Sequence, residues 1–236
     1  MNRFVVGLGA LLLAAPSVIA QAEAPKTEKA PKAAKAGAKR EKGTAHVRVL
    51  HALVDAPAAD IYLDDKKVAE NIAFKTISDY LQIDSGKTNV KITANGKTEA
   101  LLTGSFTATK DAYLTVAAYG TTGKAMILSQ NDNTGKADEK KARLRAFHLI
   151  ADVPTVAVTT PSTRAKSGAS NVIKQLAYGK SATKLMAPGK ITLQLRADGK
   201  VLKEATDVTL EAGKRYAIFA VGKPDAIELI VKPAGK

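Results

Sequence analysis

From Ala45 onward, apolar and polar residues alternate in short runs, a period-two pattern that predicts half-buried β-strands. "HVRVLHA" places Val47, Val49 and His51 on one face, and "NVKITANGKT" alternates Val90 and Ile92 before Asn95-Gly96. "KITLQLRADGKV" repeats the device with Ile191, Leu193 and Leu195 before Asp198-Gly199. Asn-Gly and Asp-Gly both suit the positive-φ positions of a type I′ hairpin turn. Each half then carries a Tyr-containing apolar run ending in Gly, "AYLTVAAYG" and "RYAIFAVG". The pattern predicts about seven short strands per half. Only "AENIAFKTISDYL" and "SNVIKQLAYGKSATKL" leave a helical turn open as an alternative.

The two halves share more than a rhythm. "RVLHALVDAP", Arg48 to Pro57, returns as "RAFHLIADVP", Arg145 to Pro154, so Arg-x-x-His-x-x-x-Asp-x-Pro occurs twice. The alignment sets Ala45 against Ala142, Phe74 against Tyr178, Gly86 against Gly189 and Tyr113 against Tyr216. It sets Asp60 against Ala157 and Tyr80 against Lys184. A repeat this long holds its own core, which predicts two sequential domains rather than a solenoid. The expected architecture is all-β: two tandem immunoglobulin-like Greek-key β-sandwiches, 45–133 and 142–236, joined by a linker at 134–141.

The series "VRVLHALVDAPAADIYLDDKKV", "IAFKTISDYLQIDSG" and "NVKITANGK" resembles the DUF4397 family, secreted bacterial β-sandwich domains of unknown function. Arg48, His51, Asp55, Pro57, Asp60, Tyr62, Tyr80 and Gly86 carry the resemblance, and the second half keeps Arg145, His148, Asp152, Pro154 and Gly189. The resemblance implies a fold and supplies no activity.

The N-terminus has one cation, Arg3, then an apolar run to about Ala15 that is too short to span a membrane. It predicts a signal peptide over 1–20, with cleavage after Ala20 or, alternatively, Ala24, and no cysteine follows to take a lipid anchor. Residues 21–44 are rich in Ala, Lys, Pro and Glu and are expected to form a disordered tether. With no cysteine anywhere, apolar cores alone must hold the domains.

Charge separates the halves. Residues 45–133 balance nine cations against ten acids, whereas 142–236 carry sixteen cations against seven acids, and the tether is also basic. That distribution points to a polyanion at the cell envelope: anionic polysaccharide, lipopolysaccharide or a membrane surface. The candidate contacts are Arg143, Arg145, Arg164, Lys166, Lys174, Lys180 and Lys184. Solvation of exposed strand positions accounts for the same lysines equally well. Sequence-specific nucleic-acid recognition is not expected, because no reading motif is present.

The repeated His and Asp could serve a hydrolase, with His51, Asp55 and Asp60 as the groups or with a metal held near them. The plainer reading makes His51, Asp55 and Pro57, with His148, Asp152 and Pro154, a structural signature in which the imidazole bonds the carboxylate and fixes a turn. Asp55, Asp60, Asp64 and Asp65 lack calcium-loop spacing. With three histidines and no cysteine, zinc is not expected either, and no cofactor is called for. The expectation is an exported, non-catalytic binding or structural module, with an enzyme or a protein-adhesion module as alternatives.

Overall fold

A computed structural model describes residues 43–135, 138–161 and 169–235. The expected signal peptide, most of the expected tether, Arg164 and Lys166 lie outside the described residues. The first half forms β1 (Thr44–Val54), β2 (Ala59–Leu63), β3 (Lys66–Ile72), β4 (Leu81–Asp84), β5 (Gly86–Ala94), β6 (Ala100–Ala108), β7 (Tyr113–Thr121) and β8 (Lys124–Asn131). The second forms β9 (Ala142–Ile150), β10 (Thr155–Pro161), β11 (Ala169–Ala177), β12 (Lys180–Met186), β13 (Gly189–Ala197), β14 (Lys200–Leu210), β15 (Arg215–Gly222) and β16 (Glu228–Pro233). There are thus eight strands per half, one more than the pattern predicted. Neither helical alternative forms: one stretch ends β3 and turns, and the other is β11 and β12.

Each half is a sandwich of two four-stranded sheets. The first pairs sheet β4-β1-β7-β8 with sheet β3-β2-β5-β6, and the second pairs β12-β9-β15-β16 with β11-β10-β13-β14. Val47, Val49, Ile61, Ile92 and Leu114 belong to the first core, and Leu144, Val158, Leu193 and Ile218 to the second. One pair in each sandwich is parallel, β1 with β7 and β9 with β15.

A third core lies between the sandwiches. Leu50 and Ala52 from β1, Ala117 and Tyr119 from β7, Phe147 and Leu149 from β9, and Phe219 and Val221 from β15 form one buried cluster. The outer faces of two sheets therefore pack on each other, and both sandwiches fall within one compact unit. This explains why "VLHALV" and "AAYG" break alternation. Strands buried on both faces read as near-continuous apolar runs. Phe147 and Phe219 stack at the centre with ring centroids 4.7 Å apart.

The registers make the correspondence between halves explicit. Arg48 pairs with Thr115 and Arg145 with Ala217, so Tyr113 matches Arg215, one position off the sequence alignment with Tyr216. Gly120 and Gly222 confirm the shift, since both take positive φ and a Cβ on either would strike the carbonyl of Lys124 or Ala226. Likewise Val47 pairs with Leu81 and Leu144 with Lys184, so Thr183, not Lys184, takes the place of Tyr80. A one-residue slip in a strand moves a side chain to the opposite face.

Candidate functional site

The signature turn follows the first strand of each sandwich. His51 Nε2 lies 3.0 Å from the Pro57 carbonyl oxygen, and the Leu53 N–H donates to Nδ1 at 3.3 Å. His148 repeats both bonds, to the Val153 carbonyl at 2.7 Å and from Ile150 N–H at 3.4 Å. A carbonyl only accepts, so Nε2 carries a proton, while Nδ1, which accepts from a backbone N–H, carries none, leaving the ring neutral. Burial pushes both imidazoles below their ordinary pKa, which the carbonyl bond offsets in part. Phe74 and Tyr178 pack edge-on against the two rings.

The imidazole-to-carboxylate bond expected from sequence does not form. Asp55 and Asp152 instead occupy left-handed backbone positions, φ 64° and 63°, which Asp tolerates better than most residues. The Asp55 carboxylate reaches across to Lys223 of the other sandwich at 2.7 Å.

The signature arginines form a reciprocal clasp. Arg48 donates through Nη1 to the Pro233 carbonyl at 2.7 Å, the end of β16 in the second sandwich. Arg145 donates through Nη1 to the Asn131 carbonyl at 2.7 Å, the end of β8 in the first. Each also bonds a neighbour in its own sheet, Thr115 at 2.9 Å and Thr183 at 3.1 Å. Two patches that contact each other in this exchanged manner make an isologous, two-fold type of interface within one chain. Arg145 further donates to the Thr134 hydroxyl, and Arg215 donates to the Thr134 and Gly135 carbonyls. Arg48 has an acid as well: Asp132 lies 3.4 Å away and accepts from Thr115 and from Tyr80, both at 2.6 Å. Burial and the Asp132 charge push the Tyr80 phenol well above its usual range.

Asp60 is fully buried and closes the outer sheet of the first sandwich. It accepts from Lys67 Nζ at 2.9 Å, Asn71 N at 3.0 Å, Asn95 Nδ2 at 2.9 Å and Gly96 N at 3.3 Å. Lys67 and these N–H donors hold its carboxyl well below the ordinary value. The Asn95-Gly96 turn is not the type I′ that the sequence suggests. Only Gly96 takes positive φ there, whereas Asp198 and Gly199 both do. In the second sandwich, Ala157 replaces Asp60 and Arg196 replaces Thr93, which pairs with Asp60. The surface there is an open groove of about 590 Å³ lined by residues including Ala157, Thr159, Lys174 and Arg196.

The residues of the proposed hydrolase therefore do not converge. His51 faces a carbonyl, Asp55 pairs with Lys223 and Asp60 is enclosed by its own donors. Among the described residues, no group of three or more His, Cys, Asp or Glu is placed to hold a metal ion. Asp64 bonds Asn89 at 2.8 Å, and Asp65 lies 3.9 Å from Lys91. Of the polyanion candidates, Arg145 is buried and holds protein oxygens, contrary to a solvent-facing role, and Arg143 is half-buried beside Gly135. Lys174, Lys180 and Lys184 are exposed, on edge strands β11 and β12. Sequence reasoning missed Arg196, whose signal was its register opposite Ala157.

Residues 45–159 match the profile of DUF4397, a domain of unknown function. This stretch belongs to that family. The DUF4397 match covers the first sandwich and runs into β9 and β10. No curated protein matches the chain. Among solved structures, a proposed cell-adhesion protein of Bacteroides uniformis is 10% identical, with 81% of this chain and 98% of that chain covered, at a TM-score of 0.27. A carbohydrate-binding module of Eubacterium rectale in complex with maltoheptaose is 12% identical, covering 82% of this chain and 98% of that one, at 0.26. A fimbrial assembly protein of Parabacteroides distasonis is 10% identical, covering 82% and 96%, at 0.24. No fold detail and no ligand carries across from them to this chain. No helix among the described residues is long and apolar enough to cross a membrane.

Proposed function

We propose that the protein is an exported, non-catalytic binding module of the cell envelope, drawn to anionic glycan, lipopolysaccharide or membrane head groups by its basic second sandwich and tether. The observation that carries this reading is the charge asymmetry of two halves that otherwise match register for register: the cationic excess lies in the second. Lys174, Lys180 and Lys184 gather at one edge of that sandwich, where β11 and β12 face each other. The His and Asp residues that suggested catalysis are engaged in holding turns and strands.

The shared third core makes isolated halves poor reagents, so the test uses the full mature chain. Binding to lipopolysaccharide-containing vesicles and to an anionic polysaccharide is measured at low and physiological salt, beside neutral dextran. The expected result is binding to the anionic probes that weakens steeply with salt, together with loss on K174E/K180E/K184E. Absence of binding by the unmodified chain at low salt overturns the reading.

A further inference from the structure

We infer that the groove on the outer sheet of the second sandwich is a binding site for an acidic polysaccharide, with Arg196 and Lys174 gripping a carboxylate or phosphate on the sugar chain. The inference rests on the reading above and assigns it a place. The first sandwich shows what this position looks like when closed: Asp60 beside Thr93 draws in Lys67, Asn71, Asn95 and Gly96. The second has neither the acid nor the clasp. Ala157 stands beside Arg196, and the acid has moved to the turn as Asp198, where Asn95 stands in the first sandwich.

Arg196 is positioned by its own surroundings, donating to the Gly199 carbonyl at 2.5 Å and to Gln194 Oε1 at 3.4 Å. Gln194 in turn donates to Glu204 at 2.6 Å, which keeps that acid occupied. The guanidinium has five N–H donors in a fixed fork, so capacity for a bidentate anion remains. Asp198 is outnumbered by the two cations among the lining residues. Thr155, Asn171 and Gln175 supply neutral donors and acceptors suited to sugar hydroxyls. The lining holds no aromatic ring, so an uncharged sugar has no face to stack on and the charge must orient the chain.

The test compares the full chain with A157D, which rebuilds the acid of the first sandwich beside Arg196, and with R196T, which installs the first sandwich's own residue. R196K keeps the charge and removes the fork. Affinity for oligogalacturonate and for polyphosphate of equal charge is measured at low salt, with thermal unfolding to verify folding of each variant. The inference expects at least a tenfold loss in A157D and R196T, a smaller loss in R196K, and a weaker effect of K180E/K184E. A preference for galacturonate supports a carboxylate ligand, and the opposite preference supports a phosphorylated one. Undiminished binding by folded A157D and R196T, with loss in K180E/K184E, overturns the groove and leaves the envelope-module reading standing. If the unmodified chain binds neither probe, the groove is overturned, and the envelope-module reading then stands or falls on the vesicle measurement above.

Discussion

Arg48 and Arg145 occupy equivalent positions and reach the same carbonyl of each other's sandwich, yet their company differs. Around Arg48, Thr115, Asp132 and Tyr80 form a buried ionic cluster; around Arg145, the equivalent places hold Ala217, Ala234 and Thr183. Arg145 is left with neutral hydrogen-bond acceptors; burial pushes its pKa down, as do Arg143 and Arg215 nearby, against the opposing charge of Asp132. The outer sheets diverge in the opposite sense, since the acid that closes the first is absent from the second. The first sandwich thus pairs its buried acids, Asp60 and Asp132, with cations, whereas the corresponding groove of the second is lined by Arg196 and Lys174. The two halves share a strand register and an arginine clasp and differ in the charge around them.

The strongest way to break the comparison is to remove what both halves share. F219A should cost about 3–5 kcal/mol, measured by denaturant titration, because it empties the centre of the inter-sandwich core. A loss under about 1 kcal/mol would mean that the sandwiches do not depend on each other.

R48A should cost about 3 kcal/mol, since it strands Asp132 in a buried site. R145A should cost about 1–2 kcal/mol, the loss of neutral hydrogen bonds. Equal costs would contradict the asymmetry of the two clusters. D60A should lose about 1–3 kcal/mol by leaving several N–H donors without their acceptor.

The histidines test the likeness of the halves. Both have folded-state pKa values below the free value of 6.5, so the unfolded chain takes up protons first. Stability should be fully present above that value and fall as pH drops through it towards the folded pKa. Each histidine contributes a slope of at most about 1.4 kcal/mol per pH unit. H51Q and H148Q should each remove part of that slope, and a pH-independent midpoint between 7 and 5 would refute it. D55N should leave the denaturation midpoint within scatter, because the Lys223 pair is exposed and Asn tolerates the same backbone.

Much of this was readable in the residues. Alternation fixed most strands, and the repeated Arg-to-Pro stretch marked equivalent turns. The stacking of the sandwiches was written less openly, in the apolar Leu50, Ala52, Ala117 and Phe219 at positions where alternation calls for polar residues. Matching tyrosines by identity misaligned Tyr113 with Tyr216, because face rather than residue type governs strand equivalence. The His51 to Asp55 bond failed because sequence spacing cannot show that the left-handed turn aims the carboxylate at a distant lysine. Arg196 escaped notice because its meaning depends on which residue stands across the sheet.

The exchanged arginine clasp has a consequence for molecularity. An isologous interface between separate subunits weakens on dilution, since its formation is second order. Here both faces belong to one polypeptide, so the contact forms at an effective concentration of about millimolar or more, whatever the protein concentration. A molecule built this way keeps its full shape as a solitary copy, however thinly it is spread.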